Sequence, residues 1–545
     1  MAKNYVVIEE AAKMDYLCDY VALPKNYGTV EYYERADVKE IRRTVFAALD
    51  KINEKIDLNK QIGNRHIIIK PNLVAVNHKT GYDTEDMPQS TDPRVFDAII
   101  EYLKQFSKRI TIAESSGTAT TAFMKIGGYD RIAQRYGCGL VAFENTPTDR
   151  YMLPKAEVMK EIVIPRILSE VVRGEAYYVS VPKMKTNLFT GVTLSFKNAM
   201  GSIPYKLRYR NHSYQIHKKL VDMLYLFKPD LVIIDGIVGA EGLTPGPVDP
   251  VDTRLIIAGN HAVEADRITT DMMGFDSSKN NLIVEAVSRG FGDSDVEIIG
   301  TPKYFKFRPA DYSMISERFR GNFPRVRAFI GMMQNDKVHN ITSPEQVTPE
   351  LVRELEAVCV GGCNSALAWT FEMLLKGKSK KEVEVAVIYG HGIPLNGNRY
   401  YFDYQGKPYT KEDIKKLPMK KFAMGECARE AEDITDRFAP GCCNIMATSF
   451  GLSGASGVTL PIMSPANKYL LTMGASMLQT FFRKRALIKQ GEYVDVEYDP
   501  KAFDKIYPIP DLPEADMQKN YIEWPRPPLT AQEKKKLLKS VSVLG

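Results

Sequence analysis

The strongest constraint on the fold is a set of six short apolar runs, most of them closed by a polar or glycine-rich loop. They are His66–Ile69 before Lys70-Pro71-Asn72, Ile110–Ala113 before Glu114-Ser115-Ser116-Gly117, Ala176–Val181 before Pro182-Lys183, Leu231–Ile234 before Asp235-Gly236, Leu255–Ala258, and Val383–Tyr389. Runs this short and continuous suit strands buried on both faces, as in a covered parallel sheet. Helical patterns lie between them. Asp92–Phe106 opens with Asp-Pro, a cap and first-turn proline, and places Val95, Ile99, Ile100 and Leu103 on one face. The alternation predicts an α/β fold of Rossmann-like, three-layer type, with twisted and mostly parallel sheets flanked by helices. Ligands of such sheets bind at the carboxyl ends of the strands, where these polar loops fall.

A chain of 545 residues exceeds a single core. The pattern divides it into an N-terminal extension (1–60), an α/β domain (61–300), a junction (301–348) rich in Ser, Thr, Pro and Glu at its end, a second, cysteine-bearing α/β unit (349–490), and an extended arm (491–545). The second unit is expected to hold helices at Pro349–Ala357 and Asn364–Leu375 and further strands near Phe422–Met424 and Phe438. The arm is Pro-, Tyr- and charge-rich and ends in a basic amphipathic helix.

Seven cysteines, an odd number, behind an N-terminus without a secretory signal favour thiols or metal ligands over disulfides, and predict a cytoplasmic location. The apolar run Tyr469–Phe482, followed by Arg483-Lys484-Arg485, is too short to span a bilayer, which takes about 20 residues. It reads as a buried helix with a basic end in preference to a membrane-surface helix.

Five of the cysteines fall between residues 359 and 443. Cys359-Val-Gly-Gly-Cys363 lies between two helical patterns, Cys427 follows an apolar pair at a strand end, and Cys442-Cys443 follows a Pro-Gly turn. If the two strands are parallel neighbours, their loops converge with the helix junction, and Cys359, Cys363, Cys427 and Cys442 can surround one centre. Thiolates suit an iron–sulfur cluster or zinc. The competing reading is a set of ordinary buried thiols, and it is preferred for Cys18 and Cys138.

From Lys183 to Lys219 there are eight Lys or Arg residues, two His and no acid. Lys183, Lys185 and Lys197-Asn198, with the loop reaching His212, form a candidate cradle for carboxylate or phosphate. No nucleic-acid-binding pattern accompanies the charge. Asp235 and Glu241, in a glycine-rich loop, are candidate acid/base groups or metal ligands, against the simpler reading of an Asp capping its own turn. Lys70, Asn72, Glu114 and Ser116 complete the expected substrate site. His391, after a strand, is a further candidate near the thiolates.

Lys70-Pro71-Asn72-Leu73, Thr91-Asp92-Pro93-Arg94, Glu114-Ser115-Ser116-Gly117, Pro182-Lys183-Met184-Lys185-Thr186, Gly191-Val192-Thr193 with Lys197-Asn198, and Asp235-Gly236-Ile237-Val238-Gly239 with Glu241-Gly242 occur in order over roughly residues 60–280. Together they resemble domain of unknown function 362, a family often described as iron–sulfur proteins. The resemblance implies a 4Fe–4S cluster, with zinc as the alternative. Many members carry a ferredoxin-like module, which is absent here. The C-terminal unit instead resembles other cysteine-bearing extensions, whose loop usually runs Pro-Gly-Cys-Pro-Pro. Here it runs Pro-Gly-Cys442-Cys443-Asn, so Cys442 matches the ligand by position and Cys443 stands in the proline place.

These readings combine into an anaerobic-type redox protein that binds a small anionic substrate and takes electrons from a donor such as ferredoxin, with oligomers allowed. Two alternatives stand beside it: a non-redox binding or maturation protein with structural zinc on four cysteines, and a metal-dependent isomerase or lyase working through Asp235 and Glu241.

Overall fold

Strand formation in the first unit follows the apolar runs closely. In the computed structural model, which describes residues 3–74, 88–116, 119–203, 215–244, 248–310, 321, 323–332, 341–357, 363, 366–367, 370–371, 382–441, 445–458, 469–492, 512–525 and 527–541, an 11-stranded sheet holds five of the six runs. Its order is Val296–Ile299, Asn4–Glu10, Leu255–Gly259, Leu231–Gly242, Ala176–Val181, His66–Pro71, Ile110–Glu114 and Gly139–Ala142, with three short strands attached to its side. Leu255–Gly259 runs antiparallel to both its neighbours, and the pairings among the other seven strands are parallel.

Both faces are covered, as continuous apolar strands require. Ile67 and Ile69 enter a core with Val45, Leu49, Val95 and Ile99, whereas Ile68 enters another with Leu168 and Leu220. Asp92 accepts a hydrogen bond from Arg94 N and caps the helix Pro93–Leu103, which packs on the helix Ala36–Ile56.

The stretch 1–60 is thus part of the first unit and not an extension. Asn4–Glu10 lies inside the sheet, and Ala36–Ile56 covers it. Only three consecutive residues of that strand are buried, too few to stand out as an apolar run. A second sheet of seven strands has the order Ile393–Leu395, Asn398–Phe402, Val326–Ile330, Val385–Tyr389, Lys421–Met424 and Arg437–Ala439, with one strand attached at the side. Val326–Ile330 lies in the stretch read as a junction, so this sheet recruits a strand from before residue 349. The expected helix Asn364–Leu375 falls mostly outside the described residues.

The chain then returns to the first unit. Ser476, on the helix Leu470–Gln490, accepts a hydrogen bond from Ala122 N at 3.1 Å. Ile522–Glu523 adds to the hairpin Thr148–Met152 and Glu161–Pro165 as a third strand. The terminal helix Ala531–Ser540 packs beside Leu470–Gln490. The second unit therefore gives up its last predicted helix to the first. Among the described residues no helix is long and apolar enough to cross a membrane.

Candidate functional site

The chain moves outward in opposite directions from the two strands at the middle of the first sheet. From His66–Pro71 it proceeds to Ile110–Glu114 on one side, and from Ala176–Val181 to Leu231–Gly242 on the other. That reversal opens a crevice between the carboxyl ends of the two central strands, the place where open α/β sheets bind ligands.

Two buried ion pairs line it. Lys70 Nζ donates to Glu114 Oε2 at 2.6 Å and to Asn198 Oδ1 at 2.9 Å. Glu114 also accepts from Leu73 N and Ser115 N, and Asn198 bonds Asn72, Ser180 and the Lys70 carbonyl. Lys183 Nζ donates to Asp235 Oδ2 at 2.9 Å. The same carboxylate accepts from Asp92 N at 2.7 Å and from Ile237 N at 3.2 Å. Burial raises the Asp235 pKa, Lys183 opposes that rise, and the nearby Asp92 charge adds to it. Asp92 binds Arg94, which reaches on to Asp37 at 2.7 Å.

Lys185 has a different environment. It is fully buried and donates to the backbone carbonyl of Gln89, and among the described residues no carboxylate is bonded to it. Burial, with the positive charges of Lys197, Lys183 and Lys70 around it, holds its ammonium well below the usual lysine range, and Glu114 alone pulls the other way. The crevice therefore gathers four lysines (Lys70, Lys183, Lys185, Lys197), of which Lys70 is paired with Glu114 and Lys183 with Asp235. Buried charge on that scale is stable only if it is neutralised or met by an anion.

The crevice brings together Lys70, Asn72, Glu114, Lys183, Lys185, Lys197 and Asn198 of the residues expected from sequence. Ser116 lies just beyond the strand end, where its N–H donates to Thr120 Oγ1 at 2.9 Å and steadies the turn into the next helix. His212 lies outside the described residues. Of the two expected acid/base groups, Asp235 meets Lys183 in the crevice and Glu241 lies apart from it. They share the strand Leu231–Gly242, six positions apart, a separation of roughly 20 Å along an extended chain. Glu241 accepts from Arg308 N at 2.7 Å and sits opposite Asp249 on the adjoining strand.

Two supporting residues escaped the sequence reading. Gly201 stands so close to the first ion pair that a Cβ on it would lie 2.7 Å from Lys70 Nζ and closer still to Glu114 Oε1. Gly201→Ala is expected to cost about 1–3 kcal/mol through overpacking, seen as a lowered thermal midpoint. Asp266 accepts from Ser195 N at 2.7 Å and Phe196 N at 3.2 Å, which fixes the turn leading into Lys197-Asn198. The available signal was a carboxylate on the buried face of the helix Ala262–Met272.

Burial pushes the Asp266 pKa up to about 7 from 3.8. A carboxyl raised on folding binds its proton more tightly in the folded state. Its contribution is thus complete below about pH 4 and is lost as pH rises through about 7. Asp266→Asn is expected to flatten the fall in thermal midpoint between those limits relative to the unaltered protein; an unchanged slope would show that Asp266 does not titrate there.

In the second unit the strands Lys421–Met424 and Arg437–Ala439 are parallel neighbours, with Met424 opposite Ala439. Their carboxyl-end loops join through Gly425 N to Ala439 O at 2.9 Å and Gly441 N to Glu426 Oε1 at 2.8 Å. Cys363 arrives from the other side, with its Sγ 3.7 Å from Met424 O. Gly425 has φ +83°, and a Cβ there would stand 2.5 Å from Cys363 Sγ, so the loop leaves room for the sulfur only because it carries no side chain. Cys427 follows two residues later at the start of the turn Glu426–Ile434.

Cys359, Cys442 and Cys443 lie outside the described residues. Among the described residues no group of three or more His, Cys, Asp and Glu side chains is placed to hold a metal. Cys18 and Cys138 belong to the first unit, away from this loop. His391 is held at the backbone by Met332, and burial lowers its pKa. Glu356, three residues before Cys359, accepts from Tyr389 Oη at 2.9 Å, and burial raises its pKa to about 7.

Residues 67–271 match the family described as Domain of unknown function (DUF362). A thylakoid-associated protein, sll1697, of Synechocystis sp. (strain ATCC 27184 / PCC 6803 / Kazusa) is 23% identical over 219 residues. That similarity spans 38% of this chain and 63% of the relative's length. No solved structure matches the chain.

Proposed function

Taking residues 67–271 as a domain of the DUF362 family, we propose that the crevice of the first unit binds a small anion of the carboxylate or phosphate class, and that the second unit holds an iron–sulfur cluster serving redox chemistry on it. The carrying observation is Lys185, fully buried at the carboxyl ends of the central strands among Lys197, Lys183 and Lys70, with no carboxylate bonded to it among the described residues. An anion seated there returns the Lys185 ammonium to its charged form and offsets the mutual repulsion of the four lysines. Lys70 and Lys183, each already held by a carboxylate, set the walls, and Lys185 supplies the charge for the ligand.

The thiol loop fits a metal group. Cys363 stands against Gly425, whose missing side chain makes room for its sulfur, Cys427 follows that glycine by two residues, and Cys359 and Cys442, with Cys443 beside it, are the further ligands by sequence. A bound cluster supplies single-electron transfer; the chain supplies thiolates and a dry surround of Met424 and Ala439. A ferredoxin-type donor and a cytoplasmic setting belong to the same reading.

Anaerobic purification with iron, acid-labile sulfide and zinc quantified tests the metal. Iron and sulfide in near-equal amounts support the redox reading, zinc alone replaces it with a structural site, and neither removes it. Calorimetry with orthophosphate and with dicarboxylates tests the crevice. Lys185→Met is expected to weaken binding at least about tenfold, the loss of a single charge-assisted contact or more; equal affinity would remove the anion site.

A further inference from the structure

The helix Leu470–Gln490 keeps one face in the protein and leaves the other open. Met473, Ser476, Lys484, Leu487 and Ile488 are buried. On the opposite face Leu471 is 85% exposed, Leu478 46% and Phe482 63%, with Ala475 exposed between them. Spacings of four, three and four residues put these on a single stripe about three turns long. The expectation of a buried helix therefore holds for only half its circumference.

The stripe continues into charge. Arg485 and Lys489 extend it by about two further turns, and the terminal helix Ala531–Ser540, packed alongside, adds Lys534, Lys535, Lys536 and Lys539. Arg485 is anchored to Leu538 O and Lys534 to Lys489 O, so the two helices form one basic surface. Together they carry eight Lys and Arg, of which Lys484 lies on the buried face, against one acid, Glu533, which is engaged in its own helix cap. That is a charge of +7 in a chain whose net charge is +6, which leaves −1 for all the rest. The positive charge of the protein is concentrated beside its exposed apolar stripe.

We propose that this surface docks on an anionic membrane, with the helix lying in the plane of the lipid headgroups. Leu471, Leu478 and Phe482 would enter the acyl boundary while the lysines meet the lipid charge. A stripe one helix wide, of two Leu, one Ala and a single Phe, flanked mainly by lysine, suits a fluid surface better than the aromatic- and arginine-rich pockets of protein interfaces. No spanning segment is required.

Flotation of the full chain with vesicles tests the proposal. Binding to equimolar phosphatidylglycerol and phosphatidylcholine is expected to be at least about tenfold tighter than to phosphatidylcholine alone, and to weaken as salt is raised. Leu471→Glu with Phe482→Glu, and separately Lys535→Glu with Lys539→Glu, are each expected to lower it by about tenfold or more. All four positions are exposed, and an unchanged circular-dichroism melt of each variant confirms its fold. The proposal is overturned if the unaltered chain fails to float with phosphatidylglycerol, or if both variants float equally well. It is also overturned if light scattering without vesicles shows a dimer that Leu471→Glu with Phe482→Glu converts to monomer, because a second copy then covers the stripe.

Discussion

Lys70→Met is expected to destabilise the first unit by about 3–5 kcal/mol, the usual cost of removing one partner from a buried ion pair. Lys70 and Glu114 are almost wholly buried, and removing the ammonium takes away the cation that Glu114 is paired with, leaving the backbone N–H donors of Leu73 and Ser115 among its contacts. Asn198, which spans Lys70, Asn72 and Ser180, loses its charged donor as well. Adding Glu114→Gln removes the stranded charge and is expected to recover a large part of the loss, since replacing both partners is far cheaper than replacing one. Urea unfolding followed by circular dichroism measures both. A cost below about 1 kcal/mol for Lys70→Met, the range of solvated pairs, would show that water reaches the pair and that the crevice is not dry.

Gly425→Ala is expected to remove most of the bound metal from the second unit. Two effects act together. Alanine at φ +83° costs about 1 kcal/mol. More decisively, the new methyl would stand 2.5 Å from Cys363 Sγ, so the thiol must move by about an ångström or the loop must open. A metal–sulfur bond of about 2.3 Å tolerates no such displacement. The expected result is a fall in metal per chain comparable to that of Cys427→Ser, with the first unit's thermal transition unchanged. Gly454→Ala, on the described helix Ile445–Ser456, serves as a control for glycine loss in the same unit. Full metal content in Gly425→Ala would sever Cys363 from the proposed site.

The parts of the fold and site legible in the sequence share a physical basis. Strands buried on both faces must be continuously apolar, so Ile67 to Ile69, Ile110 to Ala113 and Leu231 to Ile234 announce themselves. A polar residue placed directly after such an apolar run has nowhere to point except the crevice, which is why Lys70, Glu114 and Lys183 are legible in the sequence. The parallel neighbours Lys421–Met424 and Arg437–Ala439 obeyed the same logic. Failures came where the constraint was weaker. Asn4–Glu10 is half polar because it lies near one edge of the sheet, and Val326–Ile330 buries only three of its five residues. Asp235 and Glu241 both stand directly before a glycine in what reads as one loop; their placement on one extended strand is a matter of geometry that composition does not encode.

By itself the chain determined the class of its sheets, the polar groups at their carboxyl ends and the grouping of its thiols, because strand burial and loop chemistry are local demands that each segment must satisfy wherever it lies. Only the tertiary structure decided which lysines are matched by carboxylates, that Lys185 is not, that Gly425 makes room for Cys363, and that half of a predicted buried helix faces outward. Those outcomes depend on distances between segments tens to hundreds of residues apart. Electrostatic and steric energies change steeply over an ångström, a scale set by packing between elements and not by any one of them.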